Sequence, residues 1–283
     1  MKWLHFILSH SIFIAFCAVG LSYQTVLLLH LSASIYLYGF IFFATLCSYN
    51  FYWLLSKYSF RHDIPLAGFF KKEMDEVILL GLSAAGLIIC FLNVHLSWYV
   101  IIAAAALTGL YAIPLLPFNF LKFTRKAGVL KTTLLAFTWS FVTVFIPLQK
   151  ASFMPTEIEF FILTRRFLFM LMLCIIFDNR DIAVDKIRGL RSLATDLSAK
   201  TMRYLIYAIF FILFLTNFLA HSYGITIPQS IALQITTIAL LITYYFSTQK
   251  QGYFFYYFLV DGLMLFSAIA TYIASLISYA EPL

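Results

Sequence analysis

Long apolar segments follow one another along almost the whole chain, and they constrain its fold more than any other feature. Each is close to the roughly 20 residues that an α-helix needs to cross a bilayer. Of the 283 residues, 63% are hydrophobic and 11% are charged, whereas soluble domains contain roughly 45–50% apolar residues. The segments lie at about 4–24, 32–56, 76–92, 98–116, 129–148, 160–177, 203–221, 228–246 and 254–279. The sequence therefore predicts an all-α polytopic membrane protein, a bundle of nine transmembrane helices that forms a single domain over residues 1–283.

The distribution of Lys and Arg predicts how this bundle is oriented, because cytoplasmic loops carry an excess of positive charge. With nine spans, 16 of the 19 Lys and Arg residues fall on one side, and Lys150, Arg165 and Arg166 fall on the other. We therefore expect a multi-pass protein of an inner membrane, with a cytoplasmic N-terminus and a C-terminus on the opposite side. Arg165 and Arg166 are expected to be anchors at the outer start of the sixth span, with their charged ends at the interface.

Motif searches exclude several classes of function. The net charge of +7 follows from the topology and is no evidence for nucleic-acid binding, because no soluble basic domain is present. The sequence contains no GxGxxG or GxxxxGK(S/T) phosphate loop, no GxSxG turn and no paired histidines of the HExxH type. The cysteines stand alone within predicted spans, so reduced, buried thiols are expected at Cys17, Cys47, Cys90 and Cys174.

A cluster of charges at the end of the sixth apolar segment is the main indication of chemistry. Asp178, Asp181 and Asp185 lie within eight residues, at about 0°, 300° and 340° around a helix, so they share an arc of about 60°. Carboxylates this close to hydrocarbon need compensation by a cation, a basic cluster or water. Mg²⁺ prefers such oxygen ligands, often together with substrate phosphate, and the neighbouring basic residues could contact phosphate directly. The alternative is a helix end whose acidic and basic residues only pair with one another.

The cluster resembles the second Asp-rich motif of the UbiA-type intramembrane prenyltransferases. That motif reads (N/D)xxDxxxD and is followed by a basic residue, a Gly and Arg-(Thr/Ser)-Leu. This chain supplies the three aspartates, then Lys186, Gly189 and the segment 191–193, Arg-Ser-Leu. The loop after the fourth span is also similar to the family through Tyr111 and Lys122, with extra residues between them.

The first Asp-rich motif of the family, NDxxDxxxD, is absent. It should lie near the end of the second span, where Asn50 matches the leading Asn, but the three Asp positions hold Phe51, Leu54 and Tyr58. Diphosphate could be held by one Asp motif plus basic side chains, or nearby acidic residues could substitute, or the chain could have lost transfer chemistry and kept the bundle for binding or scaffolding. The substitutes considered are Asp63, Glu73, Asp75 and Glu76.

The resemblance implies a magnesium-dependent prenyltransferase that joins the prenyl group of an isoprenoid diphosphate to an aromatic or lipid acceptor. It implies that Asp181 and Asp185 hold Mg²⁺ and that Asp178 supports the metal or orients the acceptor. Residues expected to contact the substrate are Asn50, Tyr111, Lys122, Arg188 and Arg191. The main alternative is a degenerate UbiA-type protein that binds lipid or a membrane partner without catalysis.

Two other observations bear on function. Asp261 lies inside the ninth apolar segment and is a candidate functional carboxylate, although a polar contact to a neighbouring helix would also explain it. A CDP-alcohol phosphotransferase is disfavoured because Ile182 follows Asp181 where that class has Gly. A transporter is weakly disfavoured because no internal repeat is evident.

Overall fold

The computed structural model describes residues 2–59, 69, 71–112, 128–149, 154–188 and 191–280. Helices dominate this part of the chain, and none of the described residues forms a β-strand. The α-helices are α1 (Lys2–Ser9), α2 (Ile12–Leu28), α3 (Ile35–Ser59), α4 (Met74–Leu92), α5 (Trp98–Ala112), α6 (Gly128–Leu148), α7 (Glu157–Arg188), α8 (Leu193–Asp196), α9 (Ala199–Leu219), α10 (Ile227–Ser247) and α11 (Asp261–Ala280). A 3₁₀ turn (Ala220–Tyr223) follows α9, and a π-helical segment (Phe255–Val260) leads into α11.

The membrane-bundle prediction is confirmed. Within the described residues, seven helices are long and apolar enough to cross a membrane, and α1 and α2 would make an eighth if they form one bent span. Helix α5 is a shorter apolar helix of 15 residues, so its status as the ninth span stays a prediction. Pro114, where the loss of a backbone donor predicts that the fourth span ends, lies within 113–127, outside the described residues.

The first predicted span is not one straight helix. Helices α1 and α2 meet at an angle of 67°, and Ser11 at the junction has a left-handed backbone with φ of 62°. An L-residue in that conformation cannot continue a right-handed helix. The amide of Asn50 reaches this junction and donates to the His10 carbonyl at 3.4 Å, so a polar side chain of α3 joins the bend.

Helix α7 is the most enclosed of the long helices. In its most apolar window 67% of the residues are buried, compared with 11% for α4. Helix α7 packs against α6, α8, α9 and α10, while α2 packs against α3, α6 and α11. Side chains such as Leu21, Met172, Ile176 and Leu240 have no exposed surface. Helix α7 therefore crosses the middle of the bundle, and it ends 11 residues beyond its predicted span of 160–177 with the Asp cluster on its last turns.

Candidate functional site

Asp178, Asp181 and Asp185 all lie on the last three turns of α7, as predicted. We call this the motif end of the bundle. The starts of α6, α8 and α11 provide residues that contact or interact electrostatically with this part of α7. Each aspartate has a different partner, and no group of three His, Cys, Asp or Glu side chains among the described residues is close enough to hold a metal.

Asp178 fastens α7 to its neighbours. Its Oδ2 accepts a hydrogen bond from Thr132 Oγ1 of α6 at 2.5 Å and from the backbone N–H of Leu193 in α8 at 3.2 Å. The Leu193 N–H also reaches Thr132 Oγ1 at 3.1 Å. These bonds stabilise the carboxylate near hydrocarbon and give Asp178 a positioning role, in addition to any direct role toward a ligand.

Gly128 allows α6 to approach α8 this closely. A Cβ atom at this position would lie 2.7 Å from the backbone N and O atoms of Ser192 and 2.5 Å from Asp196 Oδ2. Those separations are shorter than any normal contact, and the backbone of Ser192 cannot move like the end of a flexible side chain. The absence of a side chain at Gly128 therefore permits the close approach in which Thr132 contacts Asp178.

Asp181 is held by the residue before it in the sequence. Arg180 donates from Nε and Nη2 to the two carboxylate oxygens, at 2.7 Å each. The same guanidinium lies against three aromatic rings, with its Cζ atom 4.9 Å from the ring centroid of Phe177, 5.1 Å from that of Tyr256 and 4.9 Å from that of Tyr257. A planar cation flanked by aromatic faces is stabilised by their quadrupoles, so the rings and the carboxylate together fix Arg180.

The π-helical segment places two consecutive tyrosines beside Arg180. In a regular α-helix, neighbouring residues point about 100° apart, but in the wider π turn both Tyr256 and Tyr257 contact the guanidinium. π-Helical turns are rare and often occur at functional sites. Neither this turn nor these contacts were predicted from the sequence.

Asp185 differs from the other two aspartates because its charge is compensated only loosely. Its side chain is buried, with 7% of the residue exposed, and its nearest cation is Lys131 of α6, at 3.9 Å from Nζ to Oδ2. Among the described residues no donor makes a hydrogen bond to this carboxylate. A buried carboxylate of this kind is costly unless a further cation is supplied.

Asp261 is a fourth buried carboxylate, at the junction between the π segment and α11. It is 8% exposed, and its carboxylate makes no hydrogen bond to a described residue. It interacts electrostatically with Arg180 and with the side chains of Tyr49 and Cys174. The structure therefore places Asp261 in the same electrostatic neighbourhood as the Asp cluster.

Aromatic pairs from α3, α5 and α6 line the region next to these carboxylates. Trp139 Nε1 donates to Tyr49 Oη at 3.1 Å, and Tyr52 stacks on Tyr111 with ring centroids 5.2 Å apart. Cys174, one turn before Asp178 on α7, interacts electrostatically with Tyr111. The predicted substrate-contacting residue Tyr111 thus lies close to the α7 motif.

The Asn50 side chain bonds to residues outside the α7 motif. It is 1% exposed, and its Nδ2 donates to the carbonyls of Leu46 at 2.8 Å and His10 at 3.4 Å. Among the described residues it makes no hydrogen bond to α7. The observed bonds stabilise the junction of α1 and α2, and a role in substrate binding stays a prediction.

The three positions of the missing first motif differ in environment, and Phe51 is 53% exposed. Leu54 is buried, and Tyr58 contacts Phe69 with ring centroids 5.5 Å apart. Of the acidic residues considered as substitutes, Glu73 and Glu76 bind Lys57 Nζ at 2.6 and 2.5 Å. Asp63 lies outside the described residues.

Three basic residues were predicted to contact the substrate, and the structure describes the side chain of one of them. Lys122 and the side chain of Arg188 lie outside the described residues. Arg191 is described, and its Nε lies 3.8 Å from Asp196 Oδ1 with 60% of its side chain exposed. Its guanidinium is therefore accessible to an anion at the motif end.

Of the three carboxylates of the motif, two rather than three are available to bind a magnesium ion. Asp178 is already committed to Thr132 and Leu193, whereas Asp185 lacks a close partner and Asp181 keeps lone pairs beyond those that accept from Arg180. Mg²⁺ commonly uses one or two carboxylates and completes its shell with water and phosphate. The assignment of Asp181 and Asp185 as its ligands stays a prediction.

Comparison with known proteins identifies the fold. No protein-family model matches the chain, and no curated protein sequence matches it. Among solved structures, the apo structure of a UbiA homolog from Aeropyrum pernix K1 is similar, with a TM-score of 0.64 and 12% identity over 96% of this chain and 98% of that one. A structure of a digeranylgeranylglyceryl phosphate synthase is similar with a TM-score of 0.58 and 14% identity, over 98% of this chain and 100% of that one. The chain has the fold of the UbiA-type prenyltransferases.

Proposed function

We propose that this protein binds an isoprenoid diphosphate at the motif end and transfers its prenyl group to an aromatic or lipid acceptor. The observation that carries the proposal is the buried carboxylate of Asp185, which faces Lys131 at 3.9 Å and lacks a hydrogen bond from a described residue. Such a group favours an additional cation. The fold shared with a digeranylgeranylglyceryl phosphate synthase supports a substrate that presents this cation together with diphosphate.

The chemical step breaks the bond between the allylic carbon and the diphosphate oxygen. The diphosphate leaves with the electron pair, and the acceptor forms a new bond to the carbon and loses a proton. Bound magnesium would supply positive charge that stabilises the leaving group. Asp181 and Asp185 would hold the metal, and Arg180 keeps Asp181 in position through its two hydrogen bonds.

Basic side chains at the motif end would neutralise the diphosphate charge that the metal does not. We assign this role to Arg191, with Lys122 and Arg188 as the further phosphate contacts that the family resemblance implies. Preorganised cations of this kind stabilise charge as it develops on the leaving group. Asp261 is the candidate to receive the proton of the acceptor, because it is buried, interacts electrostatically with Arg180 and makes no side-chain hydrogen bond to a described residue.

The proposal can be tested with the purified protein in lipid nanodiscs. Farnesyl and geranylgeranyl diphosphates labelled in the prenyl group would be added with and without Mg²⁺, and both binding and diphosphate release would be measured. We expect Asp185→Asn to reduce magnesium-dependent binding of the prenyl diphosphates by at least tenfold. The variant removes the carboxylate charge that the metal would compensate. The matched control is Glu157→Gln at the opposite, exposed end of α7, which should bind as the wild type does. Unchanged binding in Asp185→Asn would refute the metal role.

A second candidate function is binding without transfer. It is favoured by Phe51, Leu54 and Tyr58 at the positions where the family has its first set of aspartates. Binding without diphosphate release, across both chain lengths and a panel of aromatic and lipid acceptors, would support this alternative. Asp261→Asn separates the two cases further, since loss of transfer with normal binding is expected only for a catalytic protein.

A further inference from the structure

Two neighbouring arginines are buried in α7, far from the Asp cluster. Arg165 is 8% exposed and Arg166 is 5% exposed, so the expectation that they anchor at the interface is wrong. At a rise of about 1.5 Å per residue, Arg166 lies roughly 18 Å along the helix from Asp178. The pair is therefore separate from the motif end.

The partners of both guanidinium groups are uncharged. Arg166 donates to the Leu21 carbonyl at 3.0 Å, to Gln24 Oε1 at 2.8 Å and to Thr25 Oγ1 at 3.4 Å. Arg165 donates to Thr216 Oγ1 at 3.0 Å, and its Cζ atom lies 5.7 Å from the ring centroid of Phe161. Within the described ranges, neither arginine has a carboxylate within salt-bridge distance.

This arrangement leaves two adjacent positive charges without an anion. The charge of Arg165 acts unfavourably on that of Arg166, and removing a cation from water costs several kcal/mol even after the protein relaxes. Neutral acceptors offset part of that cost. Arg165 is compensated least, because it makes only one hydrogen bond to the described residues.

A small cavity of mixed lining lies beside both arginines, and its apolar wall consists of Leu28, Ile162, Phe169, Leu213 and Leu233. Its volume is about 30 Å³, and its polar lining consists of Gln24, Arg165, Arg166, Thr236, Thr237 and Ser267. The hydroxyl groups of Thr236 and Thr237 donate to carbonyls of their own helix, so their single hydrogens do not point into the cavity. Ser267 accepts from Gln24 Nε2 at 2.8 Å, so its own O–H remains able to donate into the cavity.

The cavity size decides the class of ligand. A site for one water needs about 10–15 Å³ on this measure, so 30 Å³ accommodates one water or a monatomic anion of slightly larger radius. We propose that Arg165 and Arg166 bind a monatomic anion of the chloride class, with Ser267 as a further donor.

Thermal unfolding of the protein in nanodiscs tests this proposal. Sodium chloride is compared with sodium gluconate at equal ionic strength, because gluconate is too large for the cavity. We expect chloride to raise Tm by on the order of 5 °C at 100 times its Kd. Equal Tm values in the two salts would overturn the proposal and indicate that hydrogen bonds or water alone compensate the arginines.

Variants locate the effect. Arg166→Gln should lose the chloride dependence, and the exposed Arg203→Gln in α9, which makes the same change outside the cavity, should keep it. A chloride effect that survives in Arg166→Gln would contradict the assignment. If Arg166→Gln does not fold, crystals of the wild type soaked in bromide decide, since the proposal requires an anomalous peak between Arg165 and Arg166 and fails without one.

Discussion

Arg180 shows how one side chain can organise a site that is otherwise made of carboxylates. Its guanidinium binds both oxygens of Asp181 and packs against Phe177, Tyr256 and Tyr257. Lys would supply the same charge but neither the planar fork nor the flat surface for stacking. Arg180 therefore contributes geometry to the motif, and charge alone would not replace it.

We expect Arg180→Lys to weaken ligand binding at the motif end. Loss of a charged, two-point hydrogen bond and of the aromatic contacts costs about 2–3 kcal/mol, so magnesium-dependent binding of a prenyl diphosphate should weaken by about 30- to 160-fold. Isothermal titration with a non-hydrolysable prenyl diphosphate analogue measures this change. The same substitution at exposed Arg203 should leave Kd unaltered, and equal affinities for wild type and Arg180→Lys would show that Asp181 needs no such support.

The sequence predicted the aspartates of the site but not their partners. Spacings of three and four residues are enough to place Asp178, Asp181 and Asp185 on one helix face, because they depend only on local geometry. The contacts of Thr132 with Asp178 and of Lys131 with Asp185 join positions 46 and 54 residues apart in the sequence. Such pairings are determined by helix packing, which a single sequence does not display.

At the scale of elements, the start of α6 determines how α7 and α8 meet. Gly128 lies against the backbone of Ser192, and one turn later Thr132 donates to Asp178. Ser192 in turn begins α8, where its N–H donates to Thr195 Oγ1 at 2.8 Å. The motif end is thus supported by a short helix that the hydropathy pattern does not reveal, since four residues are too few for a periodic signal.

We therefore expect Gly128→Ala to destabilise the protein. The added methyl group would overlap the backbone of Ser192, and relieving such overlap costs about 1–3 kcal/mol, which lowers Tm in nanodiscs by several degrees. The control is Gly81→Ala in α4, where no atom lies within 4 Å of the added Cβ and the higher helix propensity of Ala should be neutral or stabilising. A Tm for Gly128→Ala at or above that of the wild type would show that the two helices can separate without cost.

For the whole molecule, hydropathy and charge were sufficient to predict the fold class. Runs of about 20 apolar residues lead to membrane helices because lipid offers no hydrogen bonds to the backbone, and the family resemblance at the α7 motif led to the correct fold. The bend between α1 and α2 was missed because apolar composition does not record the φ angle of Ser11. The burial of Arg165 and Arg166 was missed because snorkelling and buried arginines produce the same sequence pattern near a helix end.

The predicted orientation can be tested by cysteine labelling in intact cells. In a variant without the native cysteines, Ser97→Cys between α4 and α5 should react with a membrane-impermeant maleimide, because the positive-inside rule places that loop outside. Gln251→Cys, between α10 and the π segment, should react only after the membrane is permeabilised. The reverse pattern would show that the Lys and Arg bias does not determine the orientation of this bundle.

The buried arginine pair also constrains how the protein is made. On scales derived from membrane insertion, an arginine costs up to about 2.5–3.5 kcal/mol, the value at the centre of a span. The segment that becomes α7 therefore carries two unfavourable charges as it leaves the translocon. The acceptors for Arg166 all belong to α2, which is synthesised earlier and can already be in the membrane. The acceptor for Arg165 is Thr216 of α9, which is synthesised later. When α7 is first inserted, the hydrogen-bond partners of Arg166 are therefore already present, whereas that of Arg165 is still missing. Until α9 is inserted, Arg165 lacks its Thr216 acceptor.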